Sequence, residues 1–313
     1  MFCCLLWGSA FPFIKIGYAL FEIPASDTAS QMLFAGGRFI IAGIMVIAGM
    51  SIARGKFLHP EARDIKAVLL LSLFQTILQY LFFYQGLSKA SGIACSIVFA
   101  SGNFIAVLFS SLLFRSEKLT PRKVFGCLAG FIGVAVINLG SGDTEGLAFS
   151  LGGEGCILVS AVAASMSTCL VGTLGKRHDP VMLSGWQFLV GGIVLACAAA
   201  AAGGSLEIPG LSEAGQPDLT RMLPAVGLLL YMGFISAMAY SLWSRLLTVH
   251  PVSRASVFGF MNPIFGFFLS ALLLDEGKLV NPTTAALALA LVCGGIIVVN
   301  LPHRTTNSET NLP

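Results

Sequence analysis

Ten runs of apolar residues, each close to the ~20 needed to cross ~30 Å of hydrocarbon as a helix, fill almost the whole chain. They cover roughly 2–21, 30–50, 65–86, 91–114, 121–140, 153–173, 181–202, 222–243, 252–274 and 281–301. With 56% hydrophobic and 11% charged residues among 313, there is too little polar surface for a water-soluble fold. The expected architecture is an all-α polytopic membrane protein of ten transmembrane helices, with the lipid bilayer as its surroundings. A net charge of +3 gives no reason to expect nucleic acid as a partner. The first run has no basic residues ahead of it and holds Trp7 and Lys15, so it is read as a retained spanning helix.

Basic residues in the connections orient the helices, because Lys and Arg stay on the cytoplasmic side. With the first residue inside, one set of segments holds Arg54, Lys56, Arg63, Lys66, Arg115, Lys118, Arg122, Lys123, Lys176, Arg177, Arg245, Arg254 and Arg304; the other holds only Lys89, Arg221 and Lys278. Thirteen against three predicts both termini in the cytoplasm and a multi-pass protein of the plasma membrane. Ten of the acidic residues, among them Glu22, Asp27, Glu154 and Asp218, fall on the outer side.

The chain also repeats itself. At a shift of 159, Leu87, Val98, Phe99, Asn103, Ile105, Phe109, Ser111, Leu113 and Glu117 fall on Leu246, Val257, Phe258, Asn262, Ile264, Phe268, Ser270, Leu272 and Glu276; three residues further, Gly133, Asn138 and Leu139 fall on Gly295, Asn300 and Leu301. Five helices per copy is an odd number, so the second copy enters the membrane upside down. Inverted repeats of this kind are the sequence signature of a transporter whose binding site lies between the halves. The expected units are 1–140 and 153–302, a Gly- and Ser-containing linker over 141–152, and a cytoplasmic tail over 303–313. The polar connection from Gly203 to Arg221, with Pro209 and Pro217, is expected to be a mobile outer loop.

Several short motifs occur in a fixed order: Trp7-Gly8-Ser9-Ala10-Phe11 with Lys15, then Arg38-Phe39-Ile40-Ile41-Ala42-Gly43, then Glu117-Lys118-Leu119-Thr120 leading to Gly130-Phe131-Ile132-Gly133-Val134. Asn262-Pro263, Asp275-Glu276 and Gly294-Gly295 echo them in the second half. In this order the chain resembles the ten-helix EamA family of the drug/metabolite transporter superfamily over essentially its whole length. The resemblance implies transport of small organic metabolites, often amino acids or related compounds and usually outward, without fixing the cargo or the coupling ion. The second half departs from the first where Gln187 stands opposite Arg38 at a shift of 149, and it has no second intramembrane lysine. A binding site between the halves should therefore be polarised.

Lys15 and Arg38 are the two charges deep within the spans, about six (~9 Å) and eight residues (~12 Å) from the outer ends of their helices. A buried cation costs on the order of 2.5–3.5 kcal/mol on insertion scales and needs compensation. Either a water-filled cavity exposes these groups to a substrate carboxylate, or Lys15 snorkels to the interface and Arg38 ties helices together through carbonyls. Asn103 and Asn262, at symmetry-related mid-helix positions, either face a cavity or bond helix to helix; Pro263 adds an expected bend. Gln75, Gln79, Tyr80 and Tyr84 on helix three, Tyr240 and Trp243 on helix eight, and Trp7 on helix one are the remaining candidate lining residues. Tyr84 and Trp243 also suit interfacial anchoring, and Asn138 and Asn300 suit helix caps.

The substrate-binding set predicted from the sequence is thus Trp7, Lys15, Arg38, Gln79, Tyr80, Asn103, Tyr240 and Asn262, acting on a small-molecule substrate with no cofactor and no metal. Paired carboxylates and deep histidines are missing from the spans, and His59, His178, His250 and His303 lie in connections, which argues against an enzyme. The eight cysteines lack paired spacing and read as packing residues. A receptor without transport activity would want a signalling domain. An exporter of lipophilic cations would want a membrane carboxylate. The favoured expectation is therefore alternating access between two halves, with export of carboxylate-bearing metabolites, helices five and ten at the periphery and the oligomeric state open.

Overall fold

The structure, a computed structural model, describes residues 1–90, 92–139, 150–207, 209–210, 218–273 and 282–301. Among them the backbone forms ten long helical segments: α1 (Phe2–Leu20), α2 (Thr28–Arg54), α3 (Ile65–Leu87), α4 (92–113), α5 (Pro121–Leu139), α6 (Glu154–Leu174), α7 (Pro180–Ala201), α8 (Leu219–Val249), α9 (252–273) and α10 (Pro282–Asn300). Nine are long and apolar enough to span a membrane, and α5 is the tenth helix. The ends of α2 and α8 run several residues past the apolar runs, because amphipathic stretches such as Ser51–Arg54 and Ser244–Val249 continue the helical hydrogen bonding beyond hydrocarbon depth. Most of the linker and much of the connection after Gly203 lie outside the described residues.

The helices pair in two equivalent sets. α2 lies against α7, and α5 against α10; α1 packs on α9 and α8 as α6 packs on α4 and α3. Exchanging each helix for the one five places on reproduces the same contacts, as an inverted duplication requires. At a shift of 149, Gly36 and Gly43 of α2 correspond to Gly185 and Gly192 of α7, and these four make the crossing close. A methyl group on Gly36 would sit 2.8 Å from the Ala196 amide nitrogen, and one on Gly192 would sit 2.8 Å from that of Ile40. α5 and α10 approach equally closely through Gly126, Gly133 and Gly295. In lipid, where no hydrophobic drive separates helix from solvent, such small-residue seams supply the dispersion contact that holds helices together.

Three helices depart from α geometry. A π-helical segment occupies Ser72–Leu78 of α3, another Phe109–Leu113 of α4, and a 3₁₀ turn Val257–Phe260 of α9. The turn in α9 lies just ahead of Pro263, which has no N–H to return to the Gly259 carbonyl. All eight cysteines are free thiols, five of them buried. Large apolar side chains such as Ile52, Leu112, Phe125, Leu223 and Leu272 are exposed on the outside of the bundle, where lipid is the solvent.

Candidate functional site

At the crossing of α2 and α7, the residue after each repeat-related polar position is a phenylalanine. Phe39 and Phe188 stack face to face across the pseudo-two-fold axis, centroids 5.2 Å apart and planes 3° from parallel. Each carries a tyrosine from the neighbouring pair of equivalent helices: Tyr80 of α3 lies 4.6 Å from Phe39, and Tyr240 of α8 lies 4.8 Å from Phe188. The two tyrosine hydroxyls meet at 3.3 Å. Trp7 of α1 packs edge-on against both Tyr240 and Trp243, at 4.9 and 5.2 Å. Aromatic contacts of this geometry each add about 0.5–1.5 kcal/mol to burial, so the cluster is a firm plug where the halves meet.

Arg38 is buried beside this plug at 5% exposure, its guanidinium carbon 4.5 Å from the Phe39 ring centre and 5.8 Å from that of Tyr80. It is within electrostatic reach of Tyr18, Tyr84 and Tyr240. Among the described residues no carboxylate pairs with it, and its Nε is a buried donor with no acceptor. The ring faces offset part of the desolvation of the cation. Trp7 Nε1 and Gln187 Nε2 are further buried donors without acceptors. Gln187 is fully buried, its Oε1 accepting from Thr76 Oγ1 at 2.8 Å and its backbone carbonyl from Ser72 Oγ at 3.2 Å. Thr76 and Ser72 belong to the π segment of α3.

The structure therefore brings Trp7, Arg38, Tyr80 and Tyr240 together, with Gln79 buried alongside and its side chain reaching Tyr240. The Gln79 carbonyl also accepts from Ser160 of α6 at 2.6 Å. Gln75, Tyr84 and Trp243 are buried too, so the last two are packing residues of the interior and not interfacial anchors. Lys15 is an exposed residue two turns along α1 from Trp7. Asn103 is half-buried against the backbone of Gly259, where an added methyl group would collide with its Oδ1. Asn262 is half-buried with Oδ1 lacking a hydrogen-bond partner. The two asparagines thus belong to the α4–α9 region rather than to the aromatic plug. Asn300 donates to the Ile296 carbonyl near the end of α10, and the Asn138 side chain lies outside the described residues. Sequence reasoning quoted Phe39 only within a motif and passed over Phe188, Ser72 and Thr76; the signal that could have found the phenylalanines as a pair was their equivalence at the same shift that pairs Arg38 with Gln187.

The halves are also tied together at the face from which α1 starts, here the terminal face. His178 Nδ1, before α7, lies 2.5 Å from Asp64 Oδ1, before α3. Arg54, ending α2, pairs with Asp179, the N-cap of α7. Trp186 Nε1 donates to the Leu58 carbonyl at 2.8 Å. Glu117, between α4 and α5, accepts from Lys123 Nζ at 2.7 Å and from the backbone N–H and hydroxyl of Ser253, at the N-terminus of α9. A carboxylate there also meets the positive end of the helix dipole.

Burial alone would raise the pKa of Glu117, but Lys123 and Ser253 outweigh it and hold the carboxyl below its ordinary 4.5. Asp64 and Asp179 likewise lie below 3.8: burial pushes each up, while His178 and the Glu61 N–H on one, and Arg54 and the first amides of α7 on the other, bring it down. Because the folded values lie below the unfolded ones, these contacts contribute fully above pH 4.5 and are lost as the pH falls through the folded values. Glu117→Gln is expected to lower the melting temperature of the purified protein at pH 7 by about 2–6 °C and to flatten its decline between pH 5 and pH 3. A wild-type decline retained in the variant would count against this coupling.

A bundle of two inverted halves, helical among the described residues and with a polar-edged aromatic cluster at their junction, is the architecture of a membrane transporter. The EamA-like transporter family model matches residues 1–139 and again 151–301, and the chain belongs to that family. An uncharacterized transporter of Archaeoglobus fulgidus is 27% identical, with 94% of each chain covered. The S-adenosylmethionine/S-adenosylhomocysteine transporter of Chlamydia muridarum is 24% identical, covering 87% of this chain and 81% of its own. The chain spans 62% of the length of a chloroplastic WAT1-related protein of Arabidopsis thaliana, at 25% identity. A solved crystal structure superposes with a TM-score of 0.72 at 19% identity, covering 95% of this chain and 93% of its own, and so shares the fold.

Proposed function

We propose that this transporter moves carboxylate-bearing, amino-acid-like metabolites outward across the plasma membrane by alternating access, with the terminal face cytoplasmic. The observation that carries the reading is the donor excess at the junction of the halves: Arg38 Nε, Trp7 Nε1 and Gln187 Nε2 are all buried without acceptors. A buried donor left unpaired costs about 1–3 kcal/mol, more when charged, and a solute that brings oxygen acceptors relieves that penalty. Arg38 binds the carboxylate. Trp7, Tyr80 and Tyr240 line its path, with Gln79 supporting Tyr240, while Lys15, Asn103 and Asn262 take secondary positions along the route.

The sidedness of the basic residues supports a cytoplasmic terminal face. The polar ties there then make this conformation one in which the cytoplasmic entrance is closed. The similarity to an S-adenosylmethionine/S-adenosylhomocysteine transporter supports the solute class, since that compound is itself an amino acid carrying an α-carboxylate. Counterflow in proteoliposomes, with the twenty amino acids and S-adenosylmethionine as radiolabelled probes, tests the reading. Exchange of at least one is expected. Binding without exchange would make the protein a receptor, and efflux of ethidium without exchange of any carboxylate would make it a lipophilic-cation exporter.

A further inference from the structure

Arg38 and Gln187 are equivalent by the repeat but lie at different depths. α2 enters from the opposite face at Thr28 and carries Arg38 ~15 Å along; α7 starts at the terminal face with Pro180 and carries Gln187 ~10 Å along. On α3, which rises from the terminal face, the order agrees: Ser72 and Thr76 hold Gln187, and Tyr80, one turn higher, lies under Arg38. The stacked pair Phe39–Phe188 and the Tyr80–Tyr240 contact are their immediate neighbours in sequence and along α3. One polar group thus stands on the outer side of the plug and one on the inner side.

The inner group is set for an acceptor. Thr76 engages Oε1, which leaves the Nε2 donor of a fully buried amide without a partner. A glutamine whose role was only to join α7 to α3 would have no use for a second, unanswered donor in a low-dielectric interior. The π segment that supplies Ser72 and Thr76 is an irregularity of the kind that recurs at functional sites.

We propose that Gln187, oriented by Thr76, is a second and uncharged recognition point on the terminal-face side of the plug. There it donates to a carboxylate or carbonyl oxygen of the solute before that oxygen reaches Arg38. This inference rests on the transport reading above, but its test does not require that a transported solute be known. A neutral amide holds an anion less tightly than a guanidinium, so affinity is lower from the terminal face than from the opposite one.

The test is side-specific labelling of Gln187→Cys in oriented membrane vesicles by the impermeant anion 2-sulfonatoethyl methanethiosulfonate, read as the increment over the wild-type protein with its eight native thiols. Labelling from the terminal face at least 10-fold faster than from the opposite face is expected. Thr76→Cys serves as the second reporter should the first variant not fold. Absence of labelling from either face at both positions, or labelling from the opposite face alone, would overturn the inference. For a probe amino acid exchanged by the wild type, Gln187→Leu is expected to raise KM about 10-fold from the terminal face and less than 2-fold from the other. Equal changes on both faces would reduce Gln187 to a structural tie. If no amino acid is exchanged but labelling follows the expected pattern, the carboxylate reading fails and the placement of Gln187 on the terminal-face side stands.

Discussion

Replacing Arg38 by Gln is expected to lower the exchange rate of a carboxylate probe about 10- to 100-fold, the equivalent of losing one charge-assisted hydrogen bond of about 1.5–3 kcal/mol, while the protein still inserts and purifies as a monodisperse species. The amide fills much of the same space between Phe39 and Tyr80 and carries no charge to be compensated. Arg38→Lys should fall between, because an ammonium keeps the charge but loses the planar fork that lies over the Phe39 ring. Normal exchange and unchanged KM in Arg38→Gln would remove Arg38 from the binding path and leave it as a packing cation. Initial rates and KM from both faces, at matched reconstituted amounts, are the measurements.

The second large effect is expected at the crossing of α2 and α7. A side chain at Gly43 would place its Cβ 2.6 Å from the Leu189 amide nitrogen and 2.8 Å from the Gly185 carbonyl oxygen. Both obstacles are backbone, which cannot rotate aside, so the helices must separate along the seam. Overpacking of this kind ordinarily costs about 1–3 kcal/mol, and Gly43→Val adds a branched side chain within this backbone-to-backbone seam. It is expected to abolish monodisperse expression or lower the melting temperature by about 5 °C or more. The adjacent-face control is Gly37→Ala: an added methyl there meets nothing within 4 Å and should be tolerated. Equal stability of the two variants would show that α2 and α7 do not cross as described.

The ten helices and their inversion were legible in the sequence for a simple reason. Hydrocarbon demands about 20 apolar residues per crossing, basic residues stay on one side, and five crossings invert whatever is duplicated. Arg38 was legible as an isolated charge in such a run, and Tyr80, Tyr240 and Trp7 as polar-tipped aromatics at plausible depth. Their convergence was not. Which face of each helix turns inward depends on the close seam of Gly36, Gly43, Gly185 and Gly192, and small residues alone do not say what they pack against. The aromatic pair Phe39 and Phe188 reads in sequence as two more apolar residues of apolar helices. Glu117 reads as a loop carboxylate, although it is 9% exposed, paired with Lys123 of its own half and bonded to Ser253 of the other.

Sequence alone determined that this chain folds as ten helices in two opposed copies, nine of them apolar and long enough to span a bilayer, because the solvation of apolar and charged side chains is local and can be summed residue by residue. The tertiary structure alone decided that Arg38 and Gln187 flank one aromatic cluster, and that the two halves are tied at the terminal face by His178–Asp64, Arg54–Asp179 and Glu117–Ser253. Those partners lie more than a hundred residues apart, and only the packing of the two halves brings their atoms within hydrogen-bonding distance.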